Sequence, residues 1–122
     1  MSGERLTVRL AYQRGWQVVD GSTILQTFDT KEDAFQFLVD RGARVHLVWS
    51  RTVIGGQTAP FDFTAKFQDQ RAGRIMKEHG KSVGIWSWFS GSSSGRVETR
   101  DEAVYAVERA YTRAVVKADY PK

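Results

Sequence analysis

The stretch GRVETRDEAVYAVERAY, residues 95–111, contains the clearest helix start in the chain. Thr99 precedes Glu102 by three residues, which is the spacing of a capping box. In that motif the threonine hydroxyl accepts the Glu102 backbone N–H, and the Glu102 carboxylate accepts the Thr99 N–H. Carboxylates at Asp101 and Glu102 also suit the positive end of the helix dipole. We therefore expect a short strand to pass into a helix at Thr99, with the acidic cluster as a cap and not as paired catalytic carboxylates.

The helix that begins at Thr99 has an apolar side and a basic side. The apolar side predicts packing against a core and comprises Ala103, Val104, Val107, Ala110, Tyr111, Ala114 and Val115. On the basic side Arg109, Arg113 and Lys117 recur at every fourth position, and we call them the C-terminal ridge. Such a ridge is typical of a phosphate-binding surface and also of a solvated helix face near the negative end of the dipole. Both interpretations stay open.

The first 28 residues predict a three-stranded meander, and a helix follows it. RLTVRLAY alternates apolar and polar side chains, which is typical of a strand with one solvated face. Asp20-Gly21 lies between two β-prone segments and predicts a tight hairpin turn. Thr30 as N-cap and Gly42 as the end predict a first helix of about three turns.

Two more strands and a second helix are predicted in the middle of the chain. Residues 43–50 (ARVHLVWS) and 61–67 (FDFTAKF) alternate apolar and polar side chains, which indicates strands. Residues 69–81 (DQRAGRIMKEHGK) show helical spacing in an apolar stripe of Ala72, Ile75, Met76 and His79. The opposite stripe carries a second basic group, the middle ridge, made of Arg74, Lys77 and Lys81. The same two interpretations apply to it.

A further strand, SVGIWSWF at residues 82–89, carries two tryptophans. Trp86 and Trp88 share one face of this strand, and Phe89 lies on the other. If the tryptophan face packs in the core, the two side chains are structural. If it is exposed, it offers a stacking surface for bases or an anchor for a partner protein. Arg96 follows the SGSSSG turn and joins the tryptophans as a candidate binding residue.

These elements follow one another in the order βββα-ββα-ββα. The order predicts a single α+β domain over residues 1–122, with an antiparallel sheet and three helices packed to one side. An internal duplication would also fit the sequence. Aligning residues 30–34 (TKEDA) with residues 99–103 (TRDEA) places Phe28 opposite Val97. A hairpin followed by a capped helix can equally arise twice on physical grounds, so both explanations stay open.

The composition argues against catalysis. The chain has 122 residues, 41% of them apolar, and no cysteine, which excludes disulfides, thiolate nucleophiles and cysteine-ligated metals. Its two histidines, His46 and His79, have no carboxylate or serine at a spacing that would complete a metal site or a catalytic triad. We therefore expect no enzyme activity, no catalytic residue, no metal and no cofactor.

Charge and hydropathy indicate where the protein acts. A net charge of +4 and a pI near 9.6 favour a polyanionic partner. No segment approaches the roughly 18 consecutive apolar residues that span a bilayer, and Glu4 and Arg5 stand where a signal peptide needs an apolar core. We expect a cytoplasmic protein with no membrane partner.

Residues 15–41 combine a tryptophan-bearing strand, a glycine turn, a strand ending in Phe and a Thr-Lys-x-x-Ala helix start, at Trp16, Gly21, Phe28, Thr30, Lys31 and Ala34. This pattern resembles the arm-type DNA-binding domains of phage and transposon integrases. Those domains read DNA with their sheet, so the resemblance implies DNA contact near Arg14, Gln17 and Gln26. Residues 86–111 are similar to the tail of many small uncharacterised phage proteins.

Two hypotheses for function follow. The first is a non-catalytic module of phage or mobile-element type that binds nucleic acid or a nucleoprotein through the basic ridges and exposed aromatics. The second is a protein-binding inhibitor or adaptor that acts through an aromatic patch or a sheet edge. Nucleic-acid binding weakens steeply with salt, whereas an apolar protein interface does not. The candidate binding residues are Arg74, Lys77, Lys81, Trp86, Trp88, Arg96, Arg109, Arg113 and Lys117.

Overall fold

The computed structural model describes residues 4–79 and 84–118. These residues form nine strands and two helices, joined by turns and loops. In chain order they are β1 (Arg5–Ala11), β2 (Gly15–Asp20), β3 (Thr23–Phe28), α1 (Lys31–Asp40), β4 (Arg44–Val45), β5 (Val48–Ile54), β6 (Gln57–Phe67), β7 (Gln70–Lys77), β8 (Trp86–Ser90), β9 (Ser93–Val97) and α2 (Arg100–Ala118). The strands form a four-stranded and a five-stranded sheet, mostly antiparallel. The α+β class is confirmed, whereas the predicted order βββα-ββα-ββα and the number of three helices are wrong.

The chain divides into two compact units. The first contains the described residues up to His46 and those from Thr112 onward, and the second runs from Leu47 to Tyr111. Helix α2 therefore contributes residues to both units. The single domain expected over residues 1–122 stays a prediction.

The first unit contains the meander that the sequence predicts. β2 pairs with β1 and β3 in antiparallel fashion, and β4 adds to β1 in parallel, which gives the order β3-β2-β1-β4. The Thr30 hydroxyl accepts the Asp33 backbone N–H at 3.1 Å and caps α1, as predicted. Gly42 follows the helix with a φ of 70°, so the predicted helix end is also confirmed. The Val45 N–H donates to Thr112 Oγ1 at 2.9 Å, which satisfies a buried donor of β4.

The second unit is an antiparallel meander of β5 to β9 with the first part of α2. Ala103 and Val107 of α2 are fully buried. A Cβ atom added to Gly73 of β7 would lie 2.5 Å from Val107 Cγ1, so the helix packs closely over the sheet face that carries Gly73. Only a residue without a side chain permits this approach.

Strand β7 replaces the second helix that was predicted for residues 69–81. The register between β6 and β7 shifts by one residue next to Ala65, which leaves Ala72 as the extra residue of a β-bulge. Because of this bulge the buried side chains of Ala72 and Ile75 lie three residues apart, which imitates helical spacing. Pairing with β6 on one side and β8 on the other provides the backbone hydrogen bonds of β7, and this tertiary context decides for the strand.

A hairpin followed by a threonine-capped helix occurs twice, as β2-β3-α1 and as β8-β9-α2. Each hairpin contains an edge strand of its sheet, β3 in one case and β9 in the other. The recurrence lies where the TKEDA and TRDEA alignment places it.

Candidate binding cleft

An irregular segment of β6 re-aims one aromatic side chain toward solvent. Arg51 of β5 pairs with Phe63, and Val53 pairs with Thr58, so four residues of β6 lie opposite Thr52 alone. Phe61 lies in this wide bulge with a φ of 58°, a left-handed conformation that bulky residues rarely adopt. Its side chain is 52% exposed. Bulges of this kind commonly redirect a side chain next to a functional site.

Phe61 lies at the rim of a cleft of about 440 Å³ in the second unit. The lining residues come from β5, β6, β7, β8 and the start of α2, and they are Arg51, Pro60, Phe61, Phe63, Lys77, Trp86, Thr99, Arg100 and Asp101. The rings of Phe63 and Trp86 stack with centroids 6.4 Å apart and form its apolar part. The volume is in the range of pockets that hold one small ligand.

Three cations and one carboxylate line the cleft, so its lining carries a net positive charge. Arg51 lies opposite Phe63 in the sheet, Lys77 lies opposite Trp86, and Arg100 is the first residue of α2. The Lys77 ammonium lies 4.9 Å from the centroid of the Phe61 ring, within cation–π range. Within residues 4–79 and 84–118, no hydrogen bond or ion pair ties Arg51 or Arg100 to a carboxylate. The cleft therefore presents guanidinium groups and an exposed ring together.

The capping motif of α2 positions two of these residues. The Thr99 hydroxyl accepts the Glu102 backbone N–H at 3.1 Å, as the capping box predicts. The Glu102 carboxylate differs from the expectation, because it accepts the Thr99 hydroxyl at 3.0 Å instead of the Thr99 backbone N–H. The one hydroxyl thus makes both side-chain bonds of the cap. The cap fixes the helix start, from which Arg100 and Asp101 line the cleft.

The two described residues of the predicted middle ridge do not share one surface. Arg74 and Lys77 lie on opposite faces of β7, because they are three residues apart in a strand whose side chains alternate. Lys81 lies outside the described residues. Of the two described residues, Lys77 lines the cleft and Arg74 does not.

Arg74 is held on the other face of the sheet by Asp62. Its Nε and Nη2 donate to the two carboxylate oxygens at 2.9 and 2.6 Å, and the Thr52 hydroxyl donates to the same carboxylate at 2.7 Å. The hydrogen bond from Arg74 lowers the pKa of Asp62 below its usual value, assisted by the bond from Thr52 and opposed by desolvation. Arg74 therefore serves a structural pair.

The tryptophans lie on the sheet face that α2 covers. Trp86 is 8% exposed, so the structural interpretation holds for it. Trp88 is half-buried and packs over Gly95, where an added Cβ would lie 2.6 Å from its Nε1. Phe89 lies on the opposite face and is 44% exposed. The most exposed aromatics of this sheet are therefore phenylalanines, and the burial of Trp86 favours the structural interpretation over a stacking surface.

Arg96 is engaged in an ion pair. Its Nε and Nη2 donate to Glu78 at 2.6 and 2.9 Å, and the Ser87 hydroxyl donates to the same carboxylate at 2.7 Å. The bond to Glu78 raises the pKa of Arg96. A partner anion would have to displace Glu78 to reach this guanidinium.

The C-terminal ridge is present as far as the structure describes it. Arg109 and Arg113 are exposed on α2 and are one helical turn apart. The side chain of Lys117 lies outside the description. Glu108, directly before Arg109, is fully buried instead.

Sequence reasoning missed Arg51, Phe61 and Arg100 as site residues. The proline before Phe61 was the one local signal, since a proline within a strand often marks a bulge. Arg51 and Arg100 are 49 positions apart in the chain, and no sequence spacing relates them.

Among residues 4–79 and 84–118, no three His, Cys, Asp or Glu side chains come together to hold a metal ion. His46 and His79 are both exposed. The described helices include none that is long and apolar enough to cross a membrane. Comparison of the chain with protein-family models, with curated proteins and with solved structures finds no match.

Proposed function

We propose that the protein is a non-catalytic module that binds nucleic acid, alone or within a nucleoprotein, through the cleft at the β6 bulge. The observation that carries this proposal is the convergence of Arg51, Lys77 and Arg100 with the exposed ring of Phe61. Guanidinium groups bind phosphate oxygens, and aromatic rings stack on bases whatever their sequence. The net charge of +4 acts in the same direction.

The availability of the cleft arginines distinguishes them from other arginines of the sheet. Asp62 holds Arg74 and Glu78 holds Arg96, each through two hydrogen bonds. Binding phosphate at those positions would first require the loss of an existing pair. Within the part of the chain that the structure describes, Arg51 and Arg100 have no such pair to lose.

A mobility-shift assay tests this proposal with duplex DNA, single-stranded DNA and RNA at about 50 and 200 mM salt. We expect binding at the lower salt and a steep loss at the higher. Arg51→Gln and Arg100→Gln should each weaken binding and reduce the slope of log affinity against log salt by about 0.7 to 0.9 for each phosphate that is no longer neutralised. Arg71→Gln, an exposed arginine of β7 outside the cleft, is the matched control. Absence of binding to all three nucleic acids at low salt contradicts the proposal.

Strand β5 supports a second candidate, a protein-binding inhibitor or adaptor. It is an edge strand, and its side chains Val48, Val53 and Ile54 are exposed, Val48 to 70%. Edge strands with apolar side chains can add a strand of a partner protein. Binding that persists between the two salt concentrations and is lost in a Val53→Ser/Ile54→Ser variant would favour this candidate.

A further inference from the structure

We infer that the cleft takes one unpaired nucleotide, with its base on the ring of Phe61 and its phosphate at Arg51 and Arg100. This inference rests on the proposed function and adds the form in which the nucleic acid is recognised. The cavity, its cations and the conformation of Phe61 carry it together.

The backbone of Phe61 identifies its ring as the contact surface. A left-handed conformation costs free energy in a residue that carries a side chain, and Phe61 adopts it with a φ of 58°. A buried ring would offset this cost through the apolar surface it removes from water. Phe61 recovers only part of this cost, because 52% of it stays exposed. A base that stacks on the ring would cover that surface in the complex.

The shape of the site favours an unpaired base. Inside a duplex both faces of a base are covered by its neighbours, so only its edges are accessible. An unpaired base can offer a whole face to an aromatic ring. The cleft of about 440 Å³ is concave and suits one such group with its phosphate.

The charges of the cleft suit the phosphate of the same nucleotide. The Lys77 ammonium lies over one face of the Phe61 ring, 4.9 Å from its centroid, so the opposite face is the one on which a base would stack. Arg51 and Arg100 approach from β5 and from the start of α2. Guanidinium groups bind phosphate through two parallel hydrogen bonds, which orients the group as well as attracting it.

Fluorescence anisotropy with the full chain tests the inference at about 50 mM salt. The probes are one labelled single strand, the same strand in a blunt duplex, and the strand in a duplex with one unpaired terminal nucleotide. Unlabelled mononucleotide serves as competitor. We expect the single strand and the overhang to bind more tightly than the blunt duplex, by about 5- to 150-fold, which corresponds to the stacking of one base.

Phe61→Gly is the decisive variant, because glycine adopts the left-handed conformation without strain and removes the ring. It should lose the preference for unpaired nucleotides, and urea denaturation checks that the variant is still folded. Phe61→Tyr should keep the preference. The matched control is Phe89→Ala, which removes the exposed phenylalanine of the opposite face. Alanine is used there because glycine would weaken the interior of a regular strand.

The outcomes separate this inference from the proposed function. Equal affinity for the blunt duplex and the single strand, unchanged in Phe61→Gly, overturns the inference and leaves nucleic-acid binding intact. Absence of binding to every probe overturns both. Displacement of the strand by mononucleotide shows that one free nucleotide is sufficient for binding. If the strand is not displaced but its binding still depends on Phe61, the site binds a nucleotide within a strand. Either of these last results supports the inference.

Discussion

Glu108 accepts the indole N–H of Trp49 at 3.1 Å, from a position in α2 where its own side chain is fully buried. The same carboxylate oxygen accepts the backbone N–H of Leu47 at 3.0 Å. A charged group leaves water at a large cost unless donors replace the water, and these two donors do so. The carboxylate therefore joins α2 to the start of β5 within the second unit.

Replacement of this carboxylate should lower stability. Glu108→Ala leaves the donors of Leu47 and Trp49 unpaired, and each buried donor without a partner costs about 1–3 kcal/mol. Glu108→Gln keeps an acceptor oxygen and should cost less. Urea denaturation of both variants measures the difference. If Glu108→Ala unfolds at the same urea concentration as the unchanged protein, the hydrogen bonds contribute nothing to stability.

Asp62 should make stability depend on pH on the acid side. Its pKa in the folded protein lies below the ordinary value of 3.8, chiefly because of the hydrogen bond from Arg74. The unfolded chain therefore takes up a proton first as the pH falls. The stabilisation is present above the ordinary pKa and is lost as the pH falls through the lowered one. Thermal unfolding at about pH 7 and about pH 3 should show a smaller difference in Asp62→Asn than in the unchanged protein.

The control for this pH dependence is Asp69→Asn, at an exposed aspartate between β6 and β7. It removes the same charge without touching the pair of Asp62 and Arg74. A loss of acid sensitivity as large in Asp69→Asn as in Asp62→Asn would assign the effect to overall charge.

Gly73→Ala should be destabilising by about 1–3 kcal/mol, as overpacking typically is. The added Cβ would lie 2.5 Å from Val107 Cγ1 and 2.6 Å from the Phe89 carbonyl oxygen, which belongs to the backbone and cannot move away cheaply. Combining it with Val107→Ala should therefore recover only part of the loss. Gly95→Ala meets the Trp88 side chain instead and should cost less, because that side chain is only half-buried. Denaturant unfolding of Gly73→Ala, Val107→Ala, their double variant and Gly95→Ala gives the comparison. Full recovery of stability in the double variant would contradict the role of the Phe89 carbonyl.

Thr99→Ala should reduce stability by about 1 kcal/mol through the loss of the α2 cap. Thr99→Ser keeps the hydroxyl and should be close to neutral. Thr30→Ala is the parallel change in α1, where the cap makes one side-chain bond and not two. We expect Thr99→Ala to cost at least as much as Thr30→Ala in thermal unfolding, and the reverse order would show that the bond to Glu102 is not stabilising.

The site was harder to foresee from the sequence than the fold. The sequence identified Lys77 as a candidate binding residue, although as part of a helical ridge. Lys77 contacts the Phe61 ring because β6 and β7 pair. Arg51 and Arg100 come together through strand order and helix packing, which no local spacing records. The sequence allowed an exposed Trp86, but its ring packs on Phe63 and is buried at the apolar side of the cleft.

The sequence by itself determined the helix starts at Thr30 and Thr99 and the first meander. The hydrogen bonds that define a cap or a tight turn join residues a few positions apart, so local chemistry is sufficient. Only the tertiary structure decided that residues 70–77 form a strand and that a bulge turns Phe61 toward solvent. The backbone hydrogen bonds of a strand are made with strands that can be distant in the chain. Pairing with β6 and β8 therefore decided the conformation of residues 70–77 against the helical pattern of their sequence.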